Sequence, residues 1–330
     1  MKNFLKIHTG ESNFIYAPSG KHGFDQSHCH KPTPFKISDE VIRVYFGTRD
    51  KKNITRTSYV DLCTNDIRKI LFIKNSAVLD VGKIGTFDDS GANVCSVIKV
   101  DNEIFMYYIG WNPSTTVHTR NSIGLVKSTD GENFEREWDG SILDRDRLEP
   151  YYTGAVEVMA QDNKFIMWYT SGSEWKIIEG KPEIFYHIKY AESFDGIEWN
   201  KHNKVCIPPA HDYEATARPS VILVNGIYMM LYSKRDLRGF RNDKSKGYRA
   251  GFAFSTDGIK WNRADHLLDF EPSKSYWDGE TISYPVFHQQ NDRTFIFYNG
   301  NGFGKTGFGA VEINLGDLLD IVNREILGNT

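Results

Sequence analysis

The sequence lacks the marks of a membrane, secreted or metal-thiolate protein. No apolar run in its 330 residues approaches the roughly 18 that a transmembrane helix needs. The opening "MKNFLKIHTG" has no apolar core of a secretory signal. The cysteines are few, far apart and without a CxxC pair: Cys29, Cys63, Cys95 and Cys206. We therefore expect free thiols in a reducing compartment, a cytoplasmic protein, and no metal site.

Neither sign of charge is in excess. With 40 Lys and Arg against 43 Asp and Glu, the formal net charge is −3, which gives no reason to expect nucleic acid as a partner. The Gly-rich stretch "NGNGFGKTGFG" is not a P-loop, because that motif needs glycine at position 299, which is Asn. No cofactor is expected.

Aromatic residues are abundant instead. They make up 14% of the chain, with 17 Tyr and 21 Phe. Such a content is typical of β-strands, and also of sugar-binding clefts, where ring faces stack on the C–H faces of the sugar.

One strand-like segment recurs five times. "IRVYFGTRD", "IFMYYIGWN", "FIMWYTSGS", "YMMLYSKRD" and "FIFYNGNGF" each carry one tyrosine in the same place. These tyrosines are spaced 63, 61, 63 and 66 residues apart: Tyr45, Tyr108, Tyr169, Tyr232 and Tyr298. A period this regular predicts a repeat architecture.

Each copy has other strand-like runs around this segment. Upstream lie "PTPFKI", "CSVIKV", "GAVEVMA", "PSVILV" and "YPVFHQ". Downstream, a Ser-x-Asp-Gly pattern at Asp130, Asp195 and Asp257 predicts tight turns. Phe134, Trp199 and Trp261 follow these turns and are expected to open a fourth strand.

Four antiparallel strands repeated in this way predict an all-β, five-bladed β-propeller of four-stranded antiparallel blades. We expect a single domain over 1–330, with blades at about 25–80, 81–143, 144–208, 209–269 and 270–313. The last blade lacks a fourth strand, which we expect the N-terminus to supply near Phe4 to Ile7. "LGDLLDIVNREIL" has the apolar spacing of a short C-terminal helix. Two stacked β-sandwiches are the alternative, but they would not explain the five-fold period.

An ionisable residue precedes the first strand of every copy. The carboxylates are Asp88, Asp89, Glu149, Glu214 and Glu280, and the first copy has His28 and His30. In a propeller the first strands line the central channel, so we expect these groups to converge. A carboxylate cluster pushes pKa values apart, as the acid and base of glycosidic cleavage require. Each acid alone could instead cap a turn or pair with a lysine.

Other residues near the strand starts are candidates for substrate binding. An arginine there would hold a carboxylate ionised or clamp an anionic substrate. Trp277 could stack on a sugar or be a buried rim tryptophan. The set is His30, Arg49, Arg218, Trp277, Tyr284 and Lys305.

These features resemble the five-bladed propeller glycosidases, which include glycoside hydrolase families 43, 32, 62, 68 and 130. "FDDSGANVCSVIKV", "EATARPSV" and "FHQQNDRTFIFYNGNGFGKTGFG" resemble glycosidase-like propellers associated with bacterial surface polysaccharide synthesis. The resemblance spans nearly the whole chain. It implies a carbohydrate-active enzyme whose substrate is an oligosaccharide or a small glycoside.

The chain also departs from these families. Family 43 has an Asp before Pro in the first blade, where "SHCHKPTP" offers histidines, and the "NDPNG" motif of family 32 is absent. Family 130 enzymes cleave mannosides with phosphate held by basic residues, a part that Arg49, Arg218, His30 and Lys305 could play. A glycoside phosphorylase, a non-catalytic sugar-binding propeller and, less favoured, a protein-interaction scaffold therefore stay open beside the hydrolase.

Overall fold

The computed structural model describes residues 4–240 and 242–328. Its strands form five antiparallel sheets and one small parallel sheet. Four of the five antiparallel sheets are built from consecutive segments of the chain, and the fifth also contains a strand from the N-terminal segment. The first strands of the five sheets contact one another in cyclic order. The five-bladed β-propeller is confirmed.

The strands carry the aromatic and β-branched residues of the repeat. In chain order they are β1 (Leu5–Lys6), β2 (Phe14–Tyr16), β3 (Ser27–Lys36), β4 (Val41–Arg49), β5 (Thr55–Cys63), β6 (Asp66–Ile73), β7 (Ala92–Val100), β8 (Glu103–Asn112), β9 (Arg120–Ser128), β10 (Thr153–Gln161), β11 (Lys164–Ile178), β12 (Lys181–Ser193), β13 (Asn200–Ile207), β14 (Glu214–Val224), β15 (Ile227–Asp236), β16 (Arg249–Ser255), β17 (Asn262–Arg263), β18 (Leu268–Asp269), β19 (Ser283–Gln290), β20 (Arg293–Asn299) and β21 (Phe308–Ile313).

Helical segments are few and short. A helical turn, α1, covers Asn301–Gly304, and the predicted C-terminal helix is α2, Leu315–Gly328. It buries Leu318, Ile321 and Val322 against the ring. Three 3₁₀ segments are Glu11–Asn13, Lys244–Lys246 and Asp265–Leu267. Within the described ranges no helix has the length and apolarity needed to cross a membrane.

The N-terminal segment closes the ring, but with a different strand from the one expected. β2 pairs antiparallel with β21 and becomes the fourth strand of blade five. Tyr16 fits there because its ring packs against Phe308 and Phe46. The segment predicted for this place, Phe4 to Ile7, instead contains β1, which pairs in parallel with β18.

Blade two differs from the other blades. Its sheet, β7-β8-β9, has three strands. The fourth strand expected after Phe134 is reduced to two isolated bridges with β9, one between Lys127 and Glu135 and one between Ile123 and Leu143. The stretch "REWDGSILDRDRLEP" is too polar and too rich in turn residues to form a continuous ladder.

The hydrophobic core lies between neighbouring blades. Each of the five largest buried clusters combines side chains from two adjacent sheets, including blades five and one. Because the clusters run around the whole ring, closure contributes to the stability of every blade.

The Ser-x-Asp-Gly turns join the blades to one another. In each turn the serine hydroxyl accepts from the glycine N–H at 2.9 Å, and the aspartate accepts from two later backbone N–H groups. Each glycine carbonyl then accepts a hydrogen bond from an aromatic side chain of the preceding blade. The three pairs are Tyr45 to Gly131, Tyr107 to Gly196 and Trp168 to Gly258.

Gly196→Ala is expected to lower the free energy of unfolding by about 2 kcal/mol, because φ is +75° and the new Cβ would lie 2.8 Å from the Tyr107 hydroxyl. Urea denaturation measures this. Gly140→Ala, where a Cβ meets nothing within 4 Å, is the matched control. Equal effects of the two substitutions on the free energy of unfolding would contradict the role of this turn in joining neighbouring blades.

Candidate functional site

One cavity, about 360 Å³ in volume, lies where the five first strands begin. Every blade contributes to its wall. The aromatic side chains lining it are Trp111, Tyr152, Tyr186, Tyr248, Tyr284 and Phe303. The basic ones are His30, Lys31, Arg49, His118 and Arg218. We call this the axial cavity.

A larger groove of about 560 Å³ lies outside the ring, between the N-terminal segment and α2. Its wall is formed by β1, β21 and one helix face, and includes Lys6, Asp317 and Arg324. It does not receive the side chains that the repeat brings to the axis. The axial cavity is therefore the candidate site.

Three residues reach the cavity because the backbone has the same local conformation at each of them. Lys31, Arg218 and Tyr284 each precede a proline and have positive φ, at 50°, 55° and 54°. Each lies where the register of the first strand shifts against the second. A bulge of this kind re-aims a side chain, at a cost in backbone strain of about 1–3 kcal/mol for a non-glycine residue.

Arg218 forms the floor of the axial cavity. It is fully buried, and its guanidinium donates to the Val156 and Pro219 carbonyls and to the Thr33 hydroxyl at 3.2–3.4 Å. These contacts join blades four, three and one across the axis.

The carboxylate next to this floor is Glu157, which sequence reasoning missed. Its Oε2 lies 3.5 Å from Arg218 Nη1, and it follows the cavity residue Ala155 along β10. Burial raises the Glu157 pKa to about 7, although Arg218 acts in the opposite direction. Near pH 7 this carboxyl is present in both protonation states.

The basic groups of the cavity lie close enough to repel one another. Burial, with a further contribution from Arg218 and Arg49, lowers the pKa of Lys31 to about 8. Burial followed by Arg49 also lowers the pKa of His30 well below its ordinary value. Burial lowers the pKa of Arg49 as well. The protonated forms are costly here, as expected where positive charge is concentrated.

Of the six residues predicted to bind substrate, four line the axial cavity: His30, Arg49, Arg218 and Tyr284. Their binding role stays a prediction. Lys305 is exposed near His28, whose pKa it helps to lower, and does not line the cavity. Trp277 is buried in blade five against Phe14 and Tyr298, in agreement with the alternative of a buried tryptophan rather than with stacking on a sugar.

The five predicted acid and base carboxylates do not line the axial cavity, so the expectation that they converge there is wrong. Asp88 and Glu149 are each 1% exposed. Asp88 accepts hydrogen bonds from the Tyr108 hydroxyl and from Arg136. Glu149 accepts from the hydroxyls of Tyr169 and Ser171. These two carboxylates hold the strands of their own blades.

The other three carboxylates also have local partners. Glu214 binds Arg263 through both oxygens and borders a separate groove with Tyr213. Glu280 pairs with Lys244. Asp89 accepts from the Gly85 N–H and the Ser90 hydroxyl. None of these positions supports a shared acid/base pair.

Several residues of the cavity wall were missed. They are Lys31, Asn93, Asn121, Tyr152, Tyr186 and Tyr248. One signal could have found Lys31: the residue before proline in "HKPT", "ARPS" and "SYPV" is the one that each bulge turns inward. The three aromatic residues and the amides have no comparable sequence signal.

Stability is expected to fall by about 3 kcal/mol between pH 7 and pH 5, measured by urea unfolding. Burial lowers the pKa of three histidines to about 4 from an ordinary 6.5: His28, His187 and His288. The stability that these neutral side chains give the fold at pH 7 is therefore lost as the pH falls below 6.5. Glu157 opposes this loss, because its raised pKa stabilises the fold as pH falls toward 4.5.

Two variants check the assignment of this pH dependence. His288→Gln should flatten the profile, whereas Glu157→Gln should steepen it. Stability that is constant or rising toward pH 5 in the parent protein would contradict the histidine assignment.

Comparisons with known proteins agree with this fold. The chain is 33% identical over 298 residues to an uncharacterised protein of Mycobacterium tuberculosis, covering 89% of this chain and 95% of that protein. A thermostable family-43 glycoside hydrolase has 16% identity, coverage of 91% and 93%, and a TM-score of 0.64. A glycosyl hydrolase from Bacteroides ovatus has 14% identity, coverage of 92% and 91%, and a TM-score of 0.67.

The matching family model is the glycosyl hydrolases family 32 N-terminal domain, over residues 95–303. That range includes blades three and four entirely, with most of blade two and the start of blade five. The match covers more than half of the chain and supports a glycosidase-type function. The chain belongs to the family of the glycosyl hydrolases family 32 N-terminal domain.

Proposed function

We propose that this protein binds the end of a glycan in the axial cavity and acts on a glycosidic bond there, by hydrolysis or transfer. The observation that carries this proposal is the cavity wall, in which all five blades present hydrogen-bonding groups, and four of them aromatic side chains, to one space. Its volume lies within the range of about 300–1,000 Å³ that is usual for small-ligand sites.

The aromatic wall is held rigidly, as sugar stacking requires. Tyr152 and Tyr186 are parallel to within 19°, with centroids 6.3 Å apart. The hydroxyls of Tyr186 and Tyr248 lie 2.5 Å apart, and Asn121 donates to the Tyr152 hydroxyl. These contacts fix the rings before a ligand arrives, which lowers the entropic cost of binding.

A second candidate is glycan binding without turnover. The observation in its favour is that the five predicted carboxylates lie outside the cavity. Cleavage then depends on another proton donor, and Glu157, beside the floor, is the nearest carboxylate described above.

We place the protein in the cytoplasm, in bacterial surface polysaccharide metabolism. The four cysteines are all free, and Cys29, Cys95 and Cys206 are buried, which fits a reducing compartment. Subcellular fractionation, and surface glycan analysis of a deletion strain, test this placement. An unchanged surface glycan would count against it.

Screening an oligosaccharide panel by calorimetry, followed by chromatographic assay of products from each ligand, tests the function. We expect a glycan to bind and to be converted, with Trp111→Ala lowering affinity at least tenfold. Trp138, 43% exposed and absent from the cavity wall, supplies the control Trp138→Ala. Binding without products selects the second candidate. Equal affinity in the Trp111 variant would overturn both candidates.

A further inference from the structure

We infer that the axial cavity is built for an oxyanion, a phosphate, sulfate or carboxylate group that the glycan carries or that binds beside it. The inference rests on the proposed function and names the chemical class of its ligand. It depends on three independent features of the cavity, which are its charge, its unpartnered donors and its strained backbone.

The charge of the wall is of one sign. Lys31, Arg49 and Arg218 line the cavity together with His30, and among the described residues no carboxylate lines it. Glu157 lies 3.5 Å from Arg218 Nη1 but is not among the lining residues. Arg235 adds a further cation behind the wall, 5.0 Å from the Tyr248 ring centroid. An anion entering the cavity would meet several cations and no carboxylate among the described lining residues.

Donor atoms of this wall lack partners although they are buried. They are Arg218 Nε, Arg49 Nε and His30 Nε2, none of which has a hydrogen-bond partner in the described chain. Arg218 is 0% exposed and His30 is 3% exposed. Buried polar atoms without partners are costly and call for an explanation. Guanidinium groups match the geometry of oxyanions, which would satisfy such donors.

The backbone is strained at the positions that hold these groups. Lys31 and Arg218 both have positive φ directly before a proline, and so does Tyr284, whose ring centroid lies 5.2 Å from Lys31 Nζ. Strained non-glycine residues persist where the surrounding structure holds them, and they cluster at ligand sites. Two of the three strained positions, Lys31 and Arg218, hold cations, and Arg218 is fully buried. A bound oxyanion would offset the cost of burying that charge.

Calorimetry with the full chain at low salt tests this inference with four probes: inorganic phosphate, glucose 6-phosphate, glucuronate and glucose. We expect at least one acidic probe to bind at least tenfold more tightly than glucose. Binding of phosphate alone assigns the site to free phosphate, as in phosphorolysis. Binding of an acidic sugar without binding of phosphate assigns it to an acidic glycan. Acidic probes that bind no better than glucose overturn the inference.

Two variants test whether the affinity for the acidic probe depends on the axial cavity. Lys31→Gln and Arg49→Gln should each weaken binding of the acidic probe at least tenfold. Lys51→Gln removes the same charge from an exposed turn and should leave the affinity unchanged. Equal weakening in all three variants would show a general charge effect and overturn the site. If a variant unfolds, Arg49→Lys replaces it, and an affinity of Arg49→Lys for the acidic probe equal to that of the parent protein overturns the inference.

The inference and the proposed function fail in different ways. If neutral glycans bind with dependence on Trp111 while acidic groups add no affinity, the function stands and the oxyanion site does not. If acidic probes bind but no glycan does, the oxyanion site stands and the proposed function falls.

Discussion

Asp88→Asn is expected to lower the free energy of unfolding by about 3 kcal/mol, with glycan affinity unchanged. Asp88 is 1% exposed, and its Oδ2 accepts from Arg136 at 2.8 and 3.0 Å and from the Tyr108 hydroxyl at 2.9 Å. An amide keeps the shape but loses the negative charge that pairs with Arg136, and its NH₂ group replaces one of the two acceptor oxygens. Urea denaturation measures the stability, and calorimetry with the screened glycan measures the affinity.

The neighbouring carboxylate supplies the matched control. Asp89 is partly exposed and contacts only Gly85 N–H and Ser90, so Asp89→Asn should change stability by less than about 0.5 kcal/mol. A double-mutant cycle with Tyr108→Phe should show coupling to Asp88. Loss of turnover in Asp88→Asn at full stability would instead restore the predicted catalytic role.

The spacing that suggested a ring of catalytic acids has a structural cause. Asp88, Glu149 and Asp278 each lie 20 residues before the repeat tyrosine whose hydroxyl donates to them. In these three blades the carboxylate joins the entry loop to the second strand, whereas Tyr45 and Tyr232 of the other two blades donate to Gly131 and Asp265. Regular spacing therefore predicted the fold, which is confirmed, but it does not bring these carboxylates together at the axial cavity.

The site itself depends on what differs between blades. The first strands were identified from their apolar pattern, but bulges decide which of their side chains enter the cavity. His30, Arg49, Arg218 and Tyr284 could be chosen because they lie near strand ends. Tyr152, Tyr186 and Tyr248 could not be chosen from the sequence. Loops and a long hairpin bring them toward the axis, and these segments have no periodic pattern.

Closure of the ring was likewise predictable only in part. A missing fourth strand in blade five implied that the N-terminus would supply it, because an unpaired edge is a liability. Which N-terminal residues do so depends on the side chains that fit beside β21. Tyr16 fits the core shared by blades five and one, whereas Leu5 packs in the cluster of blades four and five.

Trp277→Ala is expected to lower the free energy of unfolding by about 3–5 kcal/mol while leaving glycan affinity unchanged. Trp277 is 4% exposed, with its ring centroid 5.0 Å from Tyr298 and 5.7 Å from Phe14. Its indole N–H donates to the Gly10 carbonyl at 2.9 Å, so the side chain ties the N-terminal segment to blade five.

Removal of this ring would leave a cavity at the point where the propeller closes, and every interblade cluster depends on closure. Trp277→Phe keeps most of the packing and should cost less than half as much. Trp111→Ala is the reverse control, because that ring lines the axial cavity and its loss should lower affinity with little loss of stability. Lower affinity at unchanged stability in Trp277→Ala would instead place this tryptophan against the sugar, as its sequence position first suggested.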